Sequence, residues 1–435
     1  MVFLIKLLQV ILALSILVLV HELGHFFFAK LFRIKVDKFY LFFDIGGFSL
    51  FKFKPRNSDT EYGIGWLPLG GYCKISGMID ESMDTESLKQ EPKPWEFRSK
   101  PAWQRLLVMS GGVLFNFILA IMLYIGILAG WGESYISNDD SQIYVNELAY
   151  DMGFRNGDHI IKFDDYVPDN FGMLQADLAR QTARKASILR GKDTIDIYID
   201  HNRLGEILNT PGMFGLAMPF IIDTVPPASP NSGSGLLKGD RIVSIDGTGI
   251  DFIQDSRKLL AAHSGQEVPV SVTRGTDTLQ MMLQVDTTGK LGVYTSMPGL
   301  KTRKYSFTEA IPAGFKMTFS TIGGYLKDLR LVFTPSTEAY KSVGSFITIG
   351  QIFPSAWDWF SFINILALLS IMLGVMNLLP IPALDGGHIV FTIYEMITGR
   401  KPSDRFLTVA QITGMILLFC LMLLAFGNDF ARLFR

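Results

Sequence analysis

Leu7-Leu-Gln-Val-Ile-Leu-Ala-Leu-Ser-Ile-Leu-Val-Leu-Val-His21-Glu22-Leu-Gly-His25-Phe-Phe-Phe28 is the stretch on which the reading of this chain turns. Between Leu7 and Val20 the polar side chains are Gln9 and Ser15 alone, so the run has the apolarity and length of a helix that crosses a bilayer. His-Glu-x-x-His closes it. On a helix the two imidazoles lie one turn apart on one face, which suits two ligands of a single zinc ion, with the glutamate placed to handle a proton of bound water. An accidental cluster at a helix end is the bland alternative. Against it, ionisable side chains are expensive in a membrane-length helix and by default mark a functional site.

Outward from this motif, no small-residue cleavage site follows the apolar run, so an uncleaved first span is expected over about residues 4–29. Lys30, Arg33, Lys35 and Lys38 follow it; by the positive-inside rule they set that flank in the cytoplasm, with the motif near the cytoplasmic face. Residues 39–77 are apolar but broken. Phe39–Phe43 and Phe48–Phe53 look like strands split by Gly46-Gly47, and Tyr62-Gly-Ile-Gly-Trp-Leu-Pro-Leu-Gly70-Gly71-Tyr72 is too interrupted for a spanning helix. Non-helical backbone is tolerated at membrane depth only where protein lines it, so this segment either dips into a protein-lined cavity or forms a surface hairpin. Residues 78–100 read as a solvated loop. A second span is expected over about 106–131, starting on the cytoplasmic side behind Arg98, Lys100 and Arg105 and carrying Asn116, a polar residue that faces either a partner helix or the site.

The polar middle of the chain holds an internal repeat. Gly153-Phe-Arg-Asn-Gly157-Asp158-His-Ile160 aligns with Gly235-Leu-Leu-Lys-Gly239-Asp240-Arg-Ile242 at an offset of 82, and Arg190-Gly191 aligns with Arg274-Gly275 at 84. Two copies of one small β-rich domain are expected, over residues 132–213 and 214–300. Residues 301–356 should supply amphipathic helices on the outer face, and a third span is expected at about 357–379. It ends in Asn377-Leu-Leu-Pro380-Ile-Pro382-Ala-Leu-Asp385-Gly-Gly-His388, whose prolines and glycines argue against regular helix through this stretch. Asp385 needs a partner in this apolar setting, and a metal held by His21 and His25 would be one; His388 is the competing candidate. A short loop with Arg400, Lys401 and Arg405 should lead to a fourth span at about 406–426.

The whole chain is 49% hydrophobic, with the apolar excess at its two ends. A formal net charge of −1 gives no support for nucleic-acid binding. Cys73 and Cys420 stand in no metal-binding or redox spacing and read as ordinary apolar positions.

Taken together, His21-Glu22-Leu-Gly-His25, Leu67-Pro-Leu-Gly-Gly-Tyr72, Asn116, the repeat and Asn377-Leu-Leu-Pro-Ile-Pro-Ala-Leu-Asp385-Gly resemble the site-2 protease family of intramembrane zinc metalloproteases, of the bacterial type with tandem PDZ domains. The resemblance implies a polytopic α-helical membrane protein with four spans, a membrane-re-entrant β-hairpin around 39–76, and two PDZ domains inserted between the second and third spans. It implies one Zn2+ ion held by His21, His25 and Asp385, with Glu22 as the catalytic residue and Asn116 in support. Asn377, Pro380, Pro382, Gly70 and Gly71 would help to hold an unwound substrate. It further implies an inner-membrane enzyme with periplasmic PDZ domains that bind peptides or filter by size. Its substrates would be single-pass proteins already cut by another protease, such as anti-sigma factors and remnant signal peptides. Gly112 departs from the family's pattern, standing where a proline usually precedes the second-span asparagine. Rival readings are a PDZ-based membrane scaffold with an inactive site, and a metal transporter, for which the spans hold too few polar residues.

Overall fold

The computed structural model describes residues 2–78, 91–297 and 299–433; residues 79–90, most of the expected loop at 78–100, lie outside the described residues. The chain divides into two compact units, one comprising Met1–Gly132, Lys304–Phe333 and Tyr340–Arg435, the other Glu133–Arg303 and Thr334–Ala339.

In the first unit, the described residues include four helices long and apolar enough to cross a membrane: Val2–Leu31 (α1), Ala102–Gly130 (α2), Trp359–Leu378 and Arg405–Arg432. Three further helices complete it, so that the C-terminal series is Phe307–Val332 (α3), Phe346–Ile352 (α4), Trp359–Leu378 (α5), Asp385–Thr398 (α6) and Asp404–Leu433 (α7). Lipid supplies no hydrophobic force between helices, so their contact depends on close backbone approach at small residues. That is how α1 and α2 meet. A Cβ on Gly24 would lie 2.2 Å from the Gly111 carbonyl oxygen, and one on Gly111 would lie 2.5 Å from that of Gly24. Gly374 of α5 packs on the Phe117 ring in the same way, and Ser370 Oγ donates to the Asn116 carbonyl at 2.7 Å. Helix α3 is a single amphipathic helix laid against α2, with Gly314 on Ile125 and Ser306 capping its first turn.

The β segment differs from the expected hairpin. It is a four-stranded mixed sheet of Val36–Phe43 (β1), Ser49–Phe53 (β2), Glu61–Gly65 (β3) and Leu67–Ile75 (β4), in the order β2-β3-β1-β4. The two strand-like runs do not pair with each other: β1 pairs parallel with β3 and antiparallel with β4, placing Phe39 opposite Cys73 and Leu41 opposite Gly71. Gly63 makes this possible, because a Cβ there would lie 2.4 Å from the Tyr40 ring.

The segment after α5 departs from expectation too. Helix stops at Leu378, but it resumes at Asp385, so Gly386 and Gly387 belong to the first turn of α6 and the third and fourth spans are joined through a 14-residue helix. The two glycines act by close approach: Cβ atoms on them would lie 2.1 Å from the Leu379 carbonyl oxygen and 2.7 Å from that of Ile381.

The second unit carries the repeat in three dimensions. Arg190 forks onto the Asp158 carboxylate at 2.7 and 2.8 Å and donates to the Gly153 carbonyl at 2.8 Å; Arg274 forks onto Asp240 at 2.7 Å on both oxygens and donates to the Gly235 carbonyl at 2.8 Å. Both carboxylates are buried, and a buried charge persists only when paired and hydrogen-bonded. The Arg274 guanidinium accordingly holds the Asp240 carboxyl below the usual carboxylate range. Each copy packs its own core, one around Phe154, Phe163, Leu174 and Ile188, the other around Ile222, Ile245, Val270 and Leu283. Strand Phe214–Leu216 pairs with Ile143–Val145, so the first copy runs past residue 213. Thr334–Ala339, expected among the linker helices, packs against this unit, with the Thr337 carbonyl close to Gly205.

Candidate metal centre

His21 and His25 sit one turn apart on α1, their ring centroids 4.9 Å apart and nearly perpendicular. Both are buried. His25 Nδ1 lies 2.8 Å from the Val108 carbonyl oxygen; a carbonyl only accepts, so Nδ1 carries the proton and Nε2 presents its lone pair. His21 Nδ1 lies 3.1 Å from the Asn116 amide, whose Oδ1 has no other partner among the described residues. With that amide turned so that Oδ1 faces the ring, Nδ1–H donates to it, the orphaned oxygen is satisfied, and the His21 Nε2 lone pair is freed.

Asp385, the first residue of α6, points its Oδ2 at both freed nitrogens, 3.3 Å from His21 Nε2 and 3.4 Å from His25 Nε2, while the two nitrogens are 3.3 Å apart. This oxygen is buried and accepts no hydrogen bond from the described residues. Three electron-rich atoms facing one another across such distances, in a buried apolar setting, are arranged to hold a cation. A tetrahedral zinc ion with bonds of about 2.0–2.1 Å separates its ligand atoms by roughly 3.3–3.4 Å, so the residues present fit such an ion. Among the described residues, these three form the group of metal-ligating type; His388, the competing candidate, is not one of them.

The space available to the ion comes from glycine. A Cβ on Gly112 would lie 2.5 Å from His21 Cε1 and 2.5 Å from His25 Nε2. Together with the Gly24–Gly111 crossing, this brings α2 against the imidazole face of α1. With the backbones placed as they are here, a side chain at residue 112 would press on the imidazole pair.

Glu22 is half-buried beside the group, and the backbone N–H of Cys73 donates to its carboxylate, tying β4 to the centre. A cavity of about 750 Å3 opens in front, lined among others by Glu22, Gly70, Gly71, Cys73, Asn377 and His388. Asn377 Nδ2 reaches His21 Nε2 at 3.5 Å. Pro380 and Pro382, by contrast, break the helix ahead of Asp385 without lining this cavity, and the Pro382 carbonyl instead meets Gly414 of α7. Sequence reasoning missed the Val108 carbonyl, the Cys73 amide and the role of Gly24. The small residues Gly24, Gly111 and Gly112 in two apolar runs were the available signal.

Residues 9–421 match the sequence profile described as Peptidase family M50. Proteins named "Putative zinc metalloprotease" are similar over nearly their whole length. One from Neisseria meningitidis serogroup A is 29% identical, covering 98% of this chain and 99% of its own. Others from Borreliella burgdorferi and Campylobacter jejuni are 29% and 28% identical, covering 96% and 99% of this chain and 96% and 94% of theirs.

Proposed function

The chain belongs to peptidase family M50, and on that footing we propose that it is a zinc-dependent intramembrane endopeptidase of the site-2 type, cutting single-pass proteins within or beside their membrane spans. The observation that carries this reading is the orphaned Asp385 Oδ2 between two imidazole nitrogens, inside a bundle of membrane-length helices. One Zn2+ ion held by His21, His25 and Asp385 would supply a Lewis acid that polarises a peptide carbonyl and acidifies a water. Glu22 takes the proton from the attacking water and hands it to the leaving nitrogen as the peptide bond breaks. Asn116 and the Val108 carbonyl fix the imidazoles so that both Nε2 atoms stay turned inward.

A peptide bond inside a helix is shielded by its own hydrogen bonds, so the substrate reaches Glu22 as an unwound segment. Strand β4 is an edge of its sheet, lines the cavity, and offers such a segment backbone groups to pair with. Asn377, Gly70 and Gly71 line the same cavity and complete this binding surface. The exposed apolar side chains of Phe48, Leu50, Phe51 and Phe53, in and beside the other edge strand β2, suit burial in lipid. The cations after α1 set the site near the cytoplasmic face of the inner membrane. The two repeated domains act on the periplasmic side as PDZ modules that bind peptides or exclude bulky partners. Substrates are then stubs left by an earlier protease, anti-sigma factors and remnant signal peptides among them.

Purified zinc-loaded protein in lipid is expected to cut a single-span test substrate, with mass spectrometry placing the new termini within or next to the span. Cleavage confined to soluble segments would sink the proposal. Pairing with β4 has its own test. In Glu22→Gln protein with Cys420→Ala, native Cys73 should form disulfides with cysteines at alternate positions of the substrate. Crosslinks recurring every three to four positions would instead mean that the substrate is bound as a helix.

A further inference from the structure

Helix α7 is apolar and outward-facing for most of its length: Val409, Ile412 and Ile416 are all exposed on the protein, as befits a span in lipid. One residue breaks the pattern. Gln411 is 4% exposed, lines the cavity in front of the metal centre, and has no hydrogen-bond partner among the described residues. The neighbouring Thr413 shows the usual solution for a polar side chain in such a helix, bonding back to the Val409 carbonyl at 2.8 Å. Gln411 does not take that solution.

One close backbone contact sets its neighbourhood. Gly414, one turn on, lies so close to the loop before Asp385 that a Cβ there would sit 1.6 Å from the Pro382 carbonyl oxygen. That contact seats α7 against the loop before Asp385, and Gln411 joins Leu384 and His388 in the lining of the cavity. A carboxamide with no partner in the protein is satisfied only by what enters the cavity, whereas leucine at the same place would need no partner. A carboxamide presents one acceptor and two donors in a plane, the complement of the C=O and N–H of a peptide group.

We propose that Gln411 is a substrate-binding residue, its carboxamide pairing with one backbone peptide group of the unwound substrate on the wall opposite β4. The extended segment is thereby gripped from two sides, by the strand edge and by the last span. This rests on the peptidase reading above. It assigns recognition to the backbone, which every unwound span presents, rather than to any one side chain.

The experiment compares wild type with Gln411→Leu, full-length in lipid, on a synthetic single-span peptide and on versions in which each peptide bond in turn is an ester lacking the N–H. Gln411→Leu is expected to keep its zinc content, to melt no lower than wild type, and to raise KM about tenfold with kcat nearly unchanged, as for loss of one or two uniform hydrogen bonds. One ester position should raise KM for wild type and leave Gln411→Leu indifferent. Equal KM values for the two proteins, or ester effects that add independently of residue 411, would overturn the inference while leaving the peptidase reading standing. Lower zinc content or a lower melting temperature in Gln411→Leu would make the residue structural and overturn it likewise. Failure of wild type to cut the all-amide peptide would remove both.

Discussion

Glu22→Gln protein is expected to bind zinc as wild type does and to lose cleavage by about 10²–10⁴-fold or more, the share that a positioned acid–base group contributes. The expectation follows from where the side chain lies. Glu22 stands outside the group formed by His21, His25 and Asp385, so shortening its chemistry to an amide removes no ligand. The amide keeps the shape and can still accept from the Cys73 N–H, which leaves the β4 edge in place. It cannot take a proton from water at neutral pH. Zinc content by elemental analysis and cleavage of a single-span peptide should therefore separate. A Glu22→Gln protein that cuts at the wild-type rate would move the proton-handling role to another group of the cavity, with His388 first in line.

Asp385→Ala should behave in the opposite way, losing zinc and activity together. Without its carboxylate, two neutral imidazoles are left to hold a dication in a buried apolar site. Affinity should fall by more than the roughly 10–100-fold typical of changes to residues that only support ligands. Gly112→Val makes a companion variant that touches no ligand chemically. Its side chain would occupy the space 2.5 Å from His21 Cε1 and His25 Nε2, so it too should deplete zinc, by displacing the rings rather than by removing a donor. Full zinc occupancy in Asp385→Ala would mean that another residue supplies the third ligand. Full occupancy in Gly112→Val would mean that α2 does not press on the imidazole pair as described.

How much of the site was legible in sequence differs residue by residue, for physical reasons. The His21–His25 pair was readable because a helix repeats every 3.6 residues, so a spacing of four dictates a shared face before any tertiary contact forms. Asp385 was readable as a carboxylate in need of a partner, but the further ligand stood open between it and His388, because some 360 residues separate both from the histidine pair. The glycines misled in one place and stayed silent in another. Gly386 and Gly387 look like helix breakers, yet they begin α6, since the space they vacate is filled by the backbone of residues 378–382. Gly112 carries no chemistry of its own, and only its neighbours make it part of the site. The strand runs 39–43 and 48–53 were seen as strands, but their partners were not: pairing depends on which backbone edges later segments can reach.

By itself, then, the sequence determined four membrane-length apolar runs, a zinc-type pair with its glutamate, and a duplicated β-rich middle. All of these are local patterns of hydropathy, spacing and self-similarity. Tertiary structure alone decided that Asp385 Oδ2 stands 3.3 and 3.4 Å from the two imidazole nitrogens, that Cys73 donates to Glu22, and that Gln411 faces the same cavity. It also decided the means: glycine contacts between helices remote in sequence, which matter only once the backbones have met.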